Sequence, residues 1–423
     1  VTAQSEGAWG NDLFIGVVHP DATDNTAFGL TVREYDGDRL VATENYHSVN
    51  TTTGDSGNIA TVVNAASDLV EVRVDAAGTR PASSQAAVAA TNGAKLDDIG
   101  KPVLARFAGG SDGVTPGSAV WKSMASGAIV GNEVDGSGMF ALHRIAPDIF
   151  NIMCIPAAAE LDEAGTSAVY AAALEYCKDK RAFLIVDPPA GMNTSEGVRG
   201  WGGLPRDGNA AVYFPRLSIG DALNANEPRE LASSGTMAGI FARTDADRGV
   251  WKAPAGPATG LRGADLRLTR VLTGAENGVL NAEGVNALRS FPRYGNVCWG
   301  SRTLAGTHAM VSEWKYVPVR RTALFIEGTL TQGLQWVVFE PNGEPLWSQI
   351  RLSVSDFLDG LFRKGAFQGA KPSDAYFVKV DGGTTTRADI EAGVVNIVVG
   401  FAPLKPAEFI VIKIAQRAGR SRT

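Results

Sequence analysis

The stretch from residue 149 to 189 constrains this chain more than any other. Ile149–Ile155 is a short apolar run, and Ser167–Lys180 places Val169, Ala173, Leu174 and Cys177 on one face of a helix. Ala182–Val186 is uninterruptedly apolar and stops at Asp187-Pro188-Pro189. A strand without a polar side must be covered on both faces, so the pattern reads as a βαβ unit with a parallel strand pair and a right-handed crossover. With 49 glycines and 20 prolines in 423 residues, the chain needs many turns and surface connections, which excludes a helical bundle. The expected class is a multidomain mixture of α/β and α+β.

The rest of the chain divides around that unit. Residues 1–80 alternate as strands do: Leu13–Val18, Phe28–Tyr35, a turn at Asp36-Gly37, Arg39–Glu44 and Leu69–Val74 predict a small antiparallel β domain. Residues 81–100 are rich in Ala, Ser and Asn and read as a connector, and 101–272 as the α/β domain. A third domain, 273–423, opens with a turn and short helix at Asn281–Arg289 and a strand at Val297–Trp299. Two amphipathic helices follow, Val319–Phe339 and Pro345–Arg363, and then strands at Tyr376–Val380, Val394–Gly400 and Glu408–Ile414.

Charge and cysteine usage narrow the function. The net charge is −6, but residues 1–100 hold 5 basic and 14 acidic side chains, so no basic domain marks a nucleic-acid binder. The only basic cluster is the tail Lys413, Arg417, Arg420 and Arg422. Cys154, Cys177 and Cys298 are odd in number, far apart and set in apolar stretches, as buried free thiols would be. The longest apolar runs, such as Val394–Leu404, fall short of the roughly 18 residues of a membrane-spanning helix. Val1 is not an initiator, so the numbering is expected to begin inside a longer product. No metal-ligand spacing and no phosphate-binding glycine loop occurs, and no cofactor is expected.

Three segments imitate hydrolase elements without their context. Gly54-Asp55-Ser56-Gly57 copies a serine-protease tetrapeptide but sits in a turn-rich segment, and only His19, His47, His143 and His308 could serve it. Gly109-Gly110-Ser111-Asp112-Gly113 fits the nucleophile-elbow pattern but is followed by Pro116 and Gly117 rather than a helix. Ser234-Gly235-Thr236-Met237-Ala238 resembles the subtilisin Gly-Thr-Ser-Met-Ala element with the attacking serine absent. Asp187, at the end of a parallel strand, occupies a position where α/β sheets place ligands, or caps a turn.

Several long segments do carry a family pattern: Gly7-Ala8-Trp9-Gly10-Asn11-Asp12, Cys154-Ile155-Pro156, Arg181-Ala182-Phe183, Ala242-Arg243-Thr244-Asp245, Arg248 to Gly256, and Leu280-Asn281 to Asn286. The densest are Trp299 to Leu304, Trp314 to Arg321, Trp336 to Asn342 with Pro345-Leu346-Trp347, and Phe401 to Phe409. In this order they resemble contractile tail sheath proteins of myovirus-type phages and phage-derived contractile injection systems. The resemblance implies a β domain whose N-terminal part is missing here, a middle domain of subtilisin-like topology without protease activity, and a C-terminal sheath core domain. It implies no catalysis, a helical homopolymer around an inner tail tube protein, and baseplate and tail terminator proteins as partners. Neither direct nucleic-acid contact nor membrane insertion is implied, and the particle, a virion tail or injection device, would assemble in the bacterial cytoplasm.

In that family, terminal arms add strands to neighbouring subunits' sheets. The matching segment is Glu408, Phe409, Ile410, Val411, Ile412, Lys413 and Ile414, which alternates and follows the breaks at Pro403 and Pro406; an ordinary strand in its own sheet is the alternative. Tube contact is expected at the end of the second long helix, through Arg363 and Lys364 facing acidic tube residues, although cations there also complement a helix dipole. Two other readings compete: a non-contracting tail, baseplate or cap component, and a subtilisin-related serine hydrolase acting through Ser111 or Ser56.

Overall fold

The computed structural model describes all residues except 21–22, 85–94, 97–101, 116–117, 146–149, 264, 308, 310–311 and 409–423. The chain divides into two units, Val1–Ser118 and Ala119–Thr423. The first contains β1 (Thr2–Ala3), β2 (Leu13–Val18), β3 (Phe28–Asp36), β4 (Arg39–Val49), α1 (Ile59–Ala66), β5 (Val70–Glu71), β6 (Lys95–Leu96) and β7 (Pro102–Arg106). Five of these strands form an antiparallel sheet in the order β4-β3-β2-β7-β6. Alternation places Leu30 and Val32 of β3 against Leu13, with Ile59 and Val63 of α1 in the same core. The β3–β4 hairpin closes at Gly37, whose φ of 61° suits glycine.

The hydrolase look-alikes of this unit are turn and latch chemistry. In the 54–57 turn, Asp55 Oδ1 accepts from the Gly57 N–H at 2.7 Å, and Asn58 next to it caps α1 by accepting from Ala60 and Thr61. The 109–113 loop is pinned to the Gly7–Asp12 segment. Asn11 exchanges two hydrogen bonds with Gly110, both 2.8 Å, and Asp112 Oδ1 accepts from the Ala8 N–H at 2.6 Å. His19 of this unit contacts the Pro81 carbonyl at 2.8 Å rather than Ser56 or Ser111.

The second unit begins with α2 (Ala119–Val130), β8 (Ile152–Cys154), α3 (Glu163–Asp179), β9 (Phe183–Val186), α4 (Ser195–Arg199) and β10 (Ala210–Phe214). Next come β11 (Leu217–Asp221), β12 (Glu227–Leu231), α5 (Ser234–Arg248), β13 (Arg267–Leu268), α6 (Gly274–Ala282), β14 (Val285–Phe291) and β15 (Gly295–Cys298). The expected βαβ unit is β8-α3-β9, and the sheet order is β15-β14-β10-β9-β8, parallel except for β15. One face of this sheet packs Leu184, Val186 and Val212 on Val169, Tyr170 and Ala173 of α3; the other packs Phe183, Ile185 and Tyr213 on Met237, Ile240 and Phe241 of α5. Each of these large side chains contributes roughly 1.5–3 kcal/mol by leaving water. β12, β11 and β13 form a separate antiparallel sheet.

Asp187 leaves β9 fully buried and caps α5 across the sheet: its Oδ1 accepts from the Ser234 N–H at 2.8 Å and from Ser233 Oγ at 3.3 Å. Burial pushes its carboxyl up, against the lowering effect of these hydrogen bonds. Ser234 of the subtilisin-like pentapeptide is thus the first residue of a capped helix. Cys177 and Cys298 are buried free thiols, both pushed up to about 12 by burial, while Cys154 is half-buried.

The expected helix at Asn281–Arg289 is corrected. Helix α6 starts earlier because Thr273 and Glu276 form a reciprocal capping box, and it ends before Gly284, whose φ is 76°. Val285–Phe291 is instead a strand, with buried Asn286 as its second residue.

The remainder holds α7 (Val317–Gly333), α8 (Glu344–Arg363), α9 (Pro372–Ala375), β16 (Tyr376–Lys379), α10 (Arg387–Glu391) and β17 (Val398–Phe401). Helix α7 stops at Gly333, short of the expected Phe339, and gives way to a 3-10 turn at Gln335–Val337. Leu346, Trp347, Ile350, Val354, Leu358 and Leu361 line the buried face of α8 at helical spacing and meet Ile326 and Leu330 of α7. β16 and β17 pair antiparallel as a two-stranded sheet. Among the described residues no helix is long and apolar enough to cross a membrane, and no group of side chains could hold a metal ion.

Candidate functional site

The chain leaves β17 at Phe401, runs past Phe367, which bridges to Pro403, and reaches a fully buried arginine. Arg302 follows β15 and is locked by the strand beside it. The amide of Asn286 accepts from the Arg302 N–H at 2.7 Å and donates to the Arg302 carbonyl at 2.7 Å and the Val212 carbonyl at 3.1 Å. Its guanidinium Nη1 donates to the Asn281 carbonyl at 2.7 Å. The remaining fork meets Glu408: Nε donates to Oε1 at 2.8 Å and Nη2 to Oε2 at 2.7 Å, and the Tyr316 hydroxyl donates to Oε2 at 3.2 Å.

This is a bidentate, charge-assisted pair whose arginine side chain is 1% exposed and whose glutamate is 15% exposed. Burial pushes the Glu408 carboxyl up, but the Arg302 hydrogen bonds and charge, with help from Lys315 and Tyr316, hold it below the ordinary glutamate value. Tyr316 is pushed up by burial and by the same carboxylate. The pair joins two segments far apart in sequence, Trp299–Leu304 and Phe401–Phe409. A second buried fork does the same for two others: Arg321 on α7 binds Asp245 on α5 at 2.9 and 2.6 Å.

Glu408 is therefore anchored to its own chain. The other proposed arm residues, Phe409, Ile410, Val411, Ile412, Lys413 and Ile414, lie outside the described residues, as does the basic tail. The second long helix ends at Arg363, as expected, and Gly365 at φ 78° turns the chain. Arg363 is largely solvated and pairs with Asp359 one turn back at 2.6 Å. Lys364 caps the helix and lines a cleft of about 850 Å³.

That cleft lies beside the clamp, with Glu408 on its wall, and is walled in part by Trp251, Trp299 and Pro318. Sequence reasoning missed its cations, Arg248, Lys252 and Lys405, and missed Arg302, although an arginine inside the small, apolar run Trp299–Leu304 was a signal of a buried partner.

The profile of the phage tail sheath C-terminal domain family matches residues 311–417. No curated protein matches the chain. Among solved structures, a chain of the anti-feeding prophage baseplate is 30% identical, covers 75% of this chain and 77% of its own, and superposes with a TM-score of 0.55. A chain of the PVC sheath complex, an extracellular contractile injection system in its contracted state, is 32% identical over 66% of this chain and 75% of its own, with a TM-score of 0.55. A chain of the contracted helical sheath of the anti-feeding prophage is 33% identical over 61% and 71%, with a TM-score of 0.51. With its mixed α/β domains and its C-terminal profile, the chain belongs to the contractile tail sheath family, whose members are structural proteins.

Proposed function

We propose that this chain is the repeating subunit of a contractile sheath, which polymerises helically around an inner tube and contracts to drive the tube through a target cell envelope. The observation that carries this reading is its identity of about one third to a chain of a contracted helical sheath. The tube protein, a baseplate and a terminator are its partners, and the particle assembles in the bacterial cytoplasm before release. We read the five-stranded sheet with helices on both faces as the subtilisin-like middle domain, its helix-opening Ser234 and strand-end Asp187 turned to capping. Energy for contraction resides in subunit contacts fixed at assembly, because the extended lattice is the less stable of two packings of one chain.

A subunit in such a lattice must stay linked while its domains rotate. Strand addition provides this, since backbone hydrogen bonds survive a change in domain orientation. The clamp supports a division of labour at the C-terminus: Glu408 fixes the exit point, and 409–414 is the strand donated to a neighbour. The two-stranded β16–β17 sheet suits the role of acceptor, because two strands alone are marginal and gain from a third.

Arg363 and Lys364 are the tube-facing pair in this reading. Reversing both to glutamate should abolish tube-templated assembly while leaving the far-ultraviolet circular dichroism unchanged; normal assembly with the tube would remove this role. Because one relative belongs to a baseplate, a sheath-like ring that does not contract is the second reading. Negative-stain electron microscopy of the full-length protein, expressed with and without its tube partner, separates the two. Hollow striated cylinders are expected, whereas discrete small particles in both samples would favour the ring.

A further inference from the structure

The α7–α8 pair carries an unusual feature at each end. At one end the chain turns from α7 into α8 through Trp336, Val338, Phe339 and Glu340. Phe339 is fully exposed at 102%, Val338 is 61% and Trp336 42% exposed. Phe339 also takes a φ of 72°, a left-handed conformation that a bulky side chain adopts rarely. The elbow is nonetheless fixed: the Glu340 N–H bonds the Val337 carbonyl at 3.1 Å, and Asn342 accepts from the Trp347 indole at 2.9 Å while donating to the Val394 carbonyl at 3.0 Å. Glu340 is exposed, and while Glu327 and Glu344 pair with Arg320 and Arg351, it has no ion-pair partner among the described residues.

At the other end lies the 850 Å³ cleft, lined by Pro318 in the first turn of α7 and by Lys364, which caps the C-terminus of α8. Arg248, Lys252, Lys364 and Lys405 line it, and Glu408, the one carboxylate among its described lining residues, is already taken by Arg302. Burial and the nearby Arg248 both push the Lys252 ammonium down, as expected of crowded cations without an anion. The Ser301 hydroxyl on the same wall is buried and has no hydrogen-bond partner. Apolar lining, excess positive charge and a spare donor describe a site for an aromatic side chain next to a carboxylate.

We propose that the elbow Trp336–Glu340 of one copy docks in this cleft of a second copy, with Phe339 against the tryptophan and proline wall and Glu340 among the cations. Helix α7, 17 residues long, sets the two features about 25 Å apart, so a subunit cannot fill its own cleft. Complementary patches at opposite ends of one rigid element make a head-to-tail contact, and such a contact propagates into an open helical polymer. The chain's own residues 409–423 follow Glu408 in sequence but include Lys413, Arg417, Arg420 and Arg422 and no acidic side chain, so like charge argues against them.

This inference rests on the helical-polymer reading, and one experiment tells their failures apart. Wild-type full-length protein, assembled with its tube and separately as dispersed subunits, is treated with a carbodiimide, which joins carboxylates to lysines in direct contact. Peptide mapping should find Glu340 joined to Lys252 or Lys405 only in the assembled sample. The Lys178–Asp207 pair, 3.0 Å apart within one subunit, should be joined in both samples as an internal control. E340K should raise the protein concentration needed for pelletable sheath at least tenfold. Cylinders with the control link but without a Glu340–lysine link, with Glu340 joined to the tube instead, or with E340K assembling like wild type would overturn the docking. Absence of cylinders from the wild type would instead overturn the polymer.

Discussion

Glu408→Ala is expected to lower the unfolding free energy of the protein by about 3 kcal/mol, the low end of the cost of leaving a buried charge without its partner. Arg302 would keep its bonds to the Asn281 carbonyl and, through its backbone, to Asn286, but Nε and Nη2 would lose the carboxylate that balances their charge. Urea denaturation followed by tryptophan fluorescence measures the loss; a change within about 0.5 kcal/mol, the range of an ordinary surface substitution, would mean the pair is not a structural anchor. Acid should mimic the substitution. Because the folded Glu408 carboxyl is held below its ordinary value of 4.5, its contribution is fully present above that value and is lost as pH falls through the folded one. Glu408→Ala should therefore narrow its gap to wild type only in that acid range, with the two proteins differing by a constant amount from pH 6 to 8.

Deletion of residues 409–423 is expected to leave a monomer with the wild-type unfolding midpoint that forms no cylinders. The clamp sets where the cut must fall. A deletion from 406 would remove Glu408 as well and mix loss of the arm with the penalty on Arg302, whereas a cut after Glu408 isolates the arm. Sedimentation velocity and negative-stain microscopy report assembly, and the urea midpoint reports folding. Cylinders of normal length from the shortened chain would refute strand donation by 409–414 and return that segment to its own subunit's sheet.

Most of the fold could be read from local pattern. The uniform apolarity of Ala182–Val186, the alternation in Phe28–Tyr35 and the helical spacing from Trp347 to Leu361 each state which faces are buried, because burial is what those periodicities encode. Their boundaries were less legible. Asn281–Arg289 has a helical pattern, but the Thr273–Glu276 capping box starts the helix upstream, so Gly284 ends it and leaves 285–291 extended. The expected helix to Phe339 fails for a related reason, since Trp336, Val338 and Phe339 carry the apolar run past Gly333 but face solvent.

The sequence by itself determined the class of the elements with a clean period, such as Phe28–Tyr35, Ala182–Val186 and Trp347–Leu361, and the family resemblance. Only the tertiary structure decided which of the quoted segments touch. Arg302 meets Glu408 across 106 residues and Arg321 meets Asp245 across 76, and no periodicity announces either pair. Side-chain pattern reports how a residue stands to water, whereas the choice of a buried cation's partner depends on where two remote backbones come together. For the same reason Glu408, one position in an alternating strand pattern, proved to be the anchor of its own chain, and Lys364, one cation at a helix end, proved to line a cleft.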